Sequence, residues 1–132
     1  MKFYKCATCG KIVAVVRDTD VETVCCGHPM ACLEVKTKDE GGEKHVPVYT
    51  VSGSTVTVKV GKVEHPMTEA HRVEWIAVET DAGCQCRPLR AGNKPEAVFA
   101  LIPYEKVTGV YEYCNLHGLW KCCAACNPAG CC

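Results

Sequence analysis

From Thr55 to Val60 the chain runs Thr-Val-Thr-Val-Lys-Val, a period of two that sets one face of a strand on a core and the other toward water. Arg72-Val73-Glu74-Trp75 opens the same way, and apolar or β-branched runs recur at residues 11–17, 31–37, 46–51, 97–102 and 107–113. Turn formers separate them: Gly41-Gly42, Ser52-Gly53-Ser54, Gly61, Ala91-Gly92-Asn93 and Gly109. No segment shows a convincing helical period. Many short strands with frequent turn signals predict an all-β sandwich or barrel. The polar stretch at residues 36–42 reads as a linker. It would separate a small module at residues 1–36 from a sandwich at residues 37–121, with a short tail at residues 122–132.

Composition narrows the chemistry. Fifteen basic and fifteen acidic side chains leave no net charge, so no global field draws in nucleic acid or an anionic membrane, and neither is expected as a partner. No apolar run approaches the ~20 residues of a membrane-spanning helix. Met1-Lys2-Phe3-Tyr4 leads directly into Cys6, without room for a secretory signal, so a cytoplasmic location is expected. Thirteen cysteines in a reducing compartment are poorly explained as a disulfide framework and better explained as metal ligands.

The most specific spacing is the quartet Cys6, Cys9, Cys25 and Cys26. Cys6 and Cys9 form a two-residue knuckle, and the adjacent pair follows after fifteen intervening residues. Four thiolates make a tetrahedral site suited to iron or zinc, and spacing does not choose between them. A structural zinc knuckle is the plainer reading, since so short a segment buries little core of its own. Neighbouring residues on an extended strand point to opposite sides, so both Cys25 and Cys26 reach one metal only if the backbone turns, as Gly27 and Pro29 allow.

Taken singly, a histidine in a β protein is a surface or satisfied core residue. Here His45, His65, His71 and His117 lie beside turn or strand-end signals, and His117 follows Cys114 by three residues. Four imidazoles and one thiolate suit iron, copper or zinc. Five donors exceed a closed tetrahedron, and an iron so held keeps one position open to a small molecule. A thiolate among them pushes electron density toward the metal. Glu43-Lys44 beside His45 would otherwise read as a solvated ion pair.

These motifs together resemble the desulfoferrodoxin family of two-iron superoxide reductases, over roughly residues 1 to 120. Cys6, Cys9 and Cys25-Cys26-Gly27-His28-Pro29-Met30 resemble the desulforedoxin-like module. Glu43-Lys44-His45-Val46-Pro47, His65-Pro66-Met67, His71 with Glu74-Trp75-Ile76, and Cys114-Asn115-Leu116-His117-Gly118 resemble the neelaredoxin-type catalytic domain. The resemblance implies an immunoglobulin-like β-sandwich carrying iron, with His45, His65, His71 and His117 in a plane and Cys114 axial. It implies that Glu43 takes the sixth position in the oxidised state and that Lys44 lies near the open face, ordering the water that delivers a proton. One electron from ferrous iron and two protons then convert superoxide to hydrogen peroxide, and a donor such as rubredoxin restores the iron. It also implies a second iron in the cysteine quartet and a homodimer, and it leaves His28 without a ligand role.

The chain departs from the pattern in three places. Arg72 stands where the family often has an aromatic residue. Cys32 reads as a small core residue. The tail continues through Cys122, Cys123, Cys126, Cys131 and Cys132, readable as a further soft-metal site, a redox partner of Cys84 or Cys86, or an appendage. Three competing functions are a non-catalytic iron electron carrier, a superoxide dismutase and a zinc-ribbon interaction module; the last leaves the histidines unexplained.

Overall fold

The computed structural model describes residues 1–39 and 43–123, and it forms two units, Met1–Glu34 and Val35–Cys132. Residues 40–42 and 124–132 lie outside the described residues, and the readings of the tail fall there except at Cys122 and Cys123, which end the last strand.

In the small unit β1 (Lys2–Lys5) pairs antiparallel with β2 (Ile12–Val15). A short hairpin of β3 (Val24–Cys25) and β4 (His28–Pro29) follows, and β5 (Ala31–Cys32) returns to the other edge of β1. Among the described residues its buried apolar side chains are Phe3, Cys6 and Met30. So small a core does not hold thirty-odd residues by itself, which leaves stability to a metal. Cys32 corrects the expectation of a core residue: it lies exposed on the edge strand β5, because only one short strand flanks it.

The larger unit is a two-sheet sandwich. Its first strand is β6 (Val35–Lys36), followed by β7 (Pro47–Ser52), β8 (Thr55–Val60), β9 (Val73–Thr80), β10 (Cys84–Pro88), β11 (Glu96–Ala100), β12 (Val107–Cys114) and β13 (Gly118–Cys123). One sheet has the order β10-β9-β12-β13-β6 and the other β11-β8-β7, with every pairing antiparallel except β13 with β6. Period-two alternation supplies the core between them. Val56, Val58 and Val60 of β8, with Phe99 and Tyr49, meet Val73, Ile76, Val78, Val110 and Cys122. The all-β expectation is borne out, and no helix occurs among the described residues. The apolar run at residues 31–37 is not one strand; β5 belongs to the small unit and β6 to the large sheet.

Antiparallel pairing also gathers the ends of the strands. Pro47 of β7 faces Val60 of β8, Val73 of β9 faces Cys114 of β12, and Cys114 faces Gly118 of β13. The start of β7, the end of β8, the start of β9 and the β12–β13 turn therefore lie at one end of the sandwich. A bulge at Glu74 shifts the register, so that Tyr113 faces Trp75 but the next residue, Cys114, faces the buried Val73.

Candidate metal centres

The quartet comes together in the small unit. Cys6 lies between β1 and a knuckle closed by Cys6 N donating to Lys11 O at 2.9 Å and Gly10 N donating to Cys6 O at 3.0 Å. Cys25 ends β3 and faces His28 across a two-residue turn, Cys26-Gly27, with φ of 52° and 78°. Both positive values match the tight hairpin turn that reverses the chain, and the turn swings Cys26 to the side of Cys25. The sulfurs of Cys9 and Cys25 are 3.7 Å apart and those of Cys25 and Cys26 3.9 Å. Four sulfurs about 2.3 Å from one ion would form a tetrahedron with edges of about 3.8 Å, so the spacing fits a thiolate-bound metal. Backbone donors, chiefly at Cys9, pull the Cys6 thiol down to about 6, while contact with the sulfurs of Cys9 and then Cys25 holds Cys26 up to about 12. Crowded thiols resist joint ionisation, and a cation relieves that conflict.

The second cluster forms at the gathered end of the sandwich. One donor atom each from His45, His65, His71, Cys114 and His117 lies within 4.8 Å of every other. Ring centroids run 5.0 Å from His45 to His65, 4.7 Å to His71, 4.8 Å to His117 and 4.6 Å back to His45. The His45–His71 separation is longer, 6.3 Å. Four similar edges with a longer diagonal describe a square, and neighbouring rings stand 73–77° apart, as blades around a centre. Cys114 is fully buried and His117 exposed, so the sulfur approaches from the core and the square opens toward solvent.

Hydrogen bonds set the ring nitrogens. His65 Nδ1 lies 2.7 Å from the Pro66 carbonyl, which only accepts, so Nδ1 carries the proton and Nε2 presents a lone pair. His45 Nδ1 likewise donates to Asp39 Oδ2 at 2.9 Å. The freed Nε2 of His45 sits 2.8 Å from His117 Nδ1, which is 3.6 Å from Cys114 Sγ. Without a metal, a proton on His117 Nδ1 bridges the two nitrogens; a cation between them would take its place. Nitrogens about 2.1 Å from one ion and at right angles would be about 3.0 Å apart, close to the observed spacing. Nε2 of both His65 and His71 is buried without a hydrogen-bond partner among the described residues. An unfilled acceptor in that position is what a metal ligand requires. Burial lowers His65 to about 4 and also lowers His71 and His117, with neighbouring rings adding to it, which favours the neutral form of each. Burial raises the Cys114 thiol, so binding a metal there would release its proton.

The family model described as desulfoferrodoxin matches residues 37–123, and that of the desulfoferrodoxin N-terminal domain matches residues 1–33. The chain belongs to the desulfoferrodoxin family. It is 49% identical over 121 residues to a desulfoferrodoxin homolog of Archaeoglobus fulgidus, covering 92% of this chain and 95% of that one. It is 33% identical over 110 residues to a superoxide reductase of Thermococcus kodakarensis, covering 70% and 95%. The crystal structure of the superoxide reductase from Treponema pallidum superposes with a TM-score of 0.80 at 34% identity, over 91% of this chain and 95% of that one.

The two residues before His45 stand apart from the five donors. Glu43 is exposed and its carboxylate accepts from Lys62 Nζ at 3.0 Å. Its carbonyl accepts from Lys62 N at 2.8 Å, which pins this segment to the turn after β8. Lys44 is exposed, and its charge contributes to lowering His71. His28 lies exposed on β4 and Arg72 bridges Glu69 and Glu74.

Three supporting residues escaped the reading of the sequence. Asp39, inside the stretch read as a linker, accepts from His45 Nδ1 and from the backbone N–H of Lys44 and His45. Asn115 ties two ligand loops together: its Oδ1 accepts from Arg72 N at 2.9 Å and its Nδ2 donates to Ala70 O at 3.0 Å. Trp120 stacks on His45 with centroids 4.7 Å apart and planes 14° apart. An aspartate six residues before a motif histidine was the one signal available beforehand, since metal-binding histidines commonly donate their second N–H to a carboxylate.

Proposed function

We propose that this chain is a superoxide reductase whose histidine–cysteine cluster holds iron, with His45, His65, His71 and His117 around it and Cys114 behind. The observation that carries the reading is the square of four imidazoles over a buried thiol, open on its outer side. Iron bound there would supply the one-electron chemistry of superoxide reduction. Each superoxide takes up one electron and two protons to give one hydrogen peroxide.

The protein's own residues do the rest. Superoxide is a small anion, and the exposed ammonium of Lys44 attracts it locally on a surface without net charge. Lys44 also orders the water that delivers a proton. Glu43, once released from Lys62, would be a further ligand for the oxidised metal. Cys6, Cys9, Cys25 and Cys26 hold a second iron, or zinc in its place, and as iron that centre can pass electrons. An external donor such as rubredoxin restores the ferrous state, and the protein works as a cytoplasmic homodimer.

Anaerobic purification followed by superoxide pulses with peroxide counting tests the function. A reductase supplied with electrons yields one peroxide per superoxide. A yield of one half would identify a dismutase, and iron oxidation that ignores superoxide would identify an electron carrier. Lys44→Ala is expected to slow the reaction by about tenfold with iron still bound. Wild-type rates in that variant would remove Lys44 from the mechanism.

A further inference from the structure

Lys36 lies on β6, in parallel register with Trp120 of β13. Its Nζ donates to the main-chain carbonyl of His117 at 3.0 Å. The same ammonium stands 5.2 Å from the centroid of the Trp120 ring, the ring that stacks on His45. One exposed cation thus reaches two of the four imidazole ligands, His117 through its own backbone and His45 through the indole. The amide and the aromatic face both favour a positive charge at that point.

We infer that Lys36 is a positioning residue of the histidine–cysteine centre, bracing His45 and His117 and raising the centre's reduction potential through its fixed charge. The inference rests on the proposed iron at that centre. Oxidation adds one positive charge to the metal, and a neighbouring ammonium disfavours that state relative to the ferrous one. Asp39 acts in the opposite sense, because its carboxylate on His45 Nδ1 favours the more positive metal. Lys36 therefore offsets an anion held by the same set of ligands. Solvent screens an exposed lysine, so the effect is modest.

The test is a redox titration of the full-length, iron-loaded protein, with iron per chain measured and the all-sulfur centre as internal reference. Lys36→Met keeps an apolar stem over Trp120 and removes the charge. It is expected to shift the oxidation equilibrium of the histidine centre about threefold toward ferric, ~30 mV lower at 59 mV per tenfold for one electron. Lys36→Arg is expected to restore most of the shift, and added salt to narrow the gap between wild type and Lys36→Met. A Lys36→Met midpoint equal to wild type would overturn the inference. So would a Lys36→Arg midpoint as low as that of Lys36→Met, or an equal shift at the all-sulfur centre. Absence of iron from the wild-type histidine centre would overturn the proposed function itself and this inference with it.

Discussion

Replacing Asp39 by alanine removes the group that decides which nitrogen His45 offers. The carboxylate is 13% exposed and accepts three hydrogen bonds, from His45 Nδ1 at 2.9 Å, His45 N at 3.0 Å and Lys44 N at 2.8 Å. Hydrogen bonds to a charged group contribute about 1.5–3 kcal/mol each, but three bonds to one carboxylate do not add, and the exposed Lys44 segment regains water when the carboxylate is lost. Loss of a partner to a metal-ligating histidine costs about 10–100-fold in metal affinity, or roughly 1.4–2.8 kcal/mol. The expected result for Asp39→Ala is therefore about 30-fold weaker iron retention at the histidine centre, roughly 2 kcal/mol, with Asp39→Asn between it and wild type. Graded chelator competition with iron counted at each centre measures this, and the cysteine quartet is expected to hold its metal unchanged. Wild-type affinity in Asp39→Ala, or equal losses from both centres, would show that the carboxylate does not hold His45 for the metal. The pH dependence follows the same bonds. Burial pushes Asp39 up, but the bonds from His45 and Lys44 outweigh it and leave the carboxyl below its ordinary value of 3.8. The contribution is thus fully present above that value and is lost only at more acidic pH.

Gly61 has φ of 79°, and a Cβ there would meet the main-chain atoms of Lys44 and Val63. Gly61→Ala is expected to cost at least about 2 kcal/mol in urea unfolding and to displace the Lys44 segment, slowing reaction with superoxide; a wild-type midpoint would count against this. Phe99 is 1% exposed between the sheets, so Phe99→Ala should cost about 3–5 kcal/mol, and a loss below about 1 kcal/mol would mean the core closes over the gap. Glu112 is fully buried, and neither carboxylate oxygen has a hydrogen-bond partner among the described residues. Burial raises its pKa well above the ordinary value, so the folded state holds a proton the unfolded chain releases, and stability falls as pH rises above about 4.5. Glu112→Gln removes that decline and should be more stable than wild type at pH 7, with the difference vanishing toward pH 4.5; parallel stability curves would exclude the buried acid as the cause.

Local pattern revealed a good deal. The alternation at Thr55–Val60 belongs to one strand and depends on neighbouring residues alone, so β8 was readable end to end. The donor types were equally plain, because imidazole and thiolate chemistry does not depend on the fold. Short strands without clean alternation were not readable: β1, β10 and β13 are held by their partners, and the apolar run at residues 31–37 divides between two sheets. Cys32 shows the same limit, since an apolar neighbourhood in sequence does not say whether a second layer covers it.

By itself the sequence determined the inventory: an all-β chain with two sets of metal-binding side chains, each beside turn signals. Tertiary structure decided what the inventory becomes. Antiparallel pairing brings the ends of β7, β8, β9, β12 and β13 together, and the bulge at Glu74 aligns Cys114 with Val73. The left-handed turn at Cys26-Gly27 folds two adjacent cysteines toward one point. Asn115, Trp120 and Lys36 acquire their roles only there, because each acts on a residue distant in sequence. Periodicity specifies which face of a strand is apolar; it does not specify which strand comes to lie beside it.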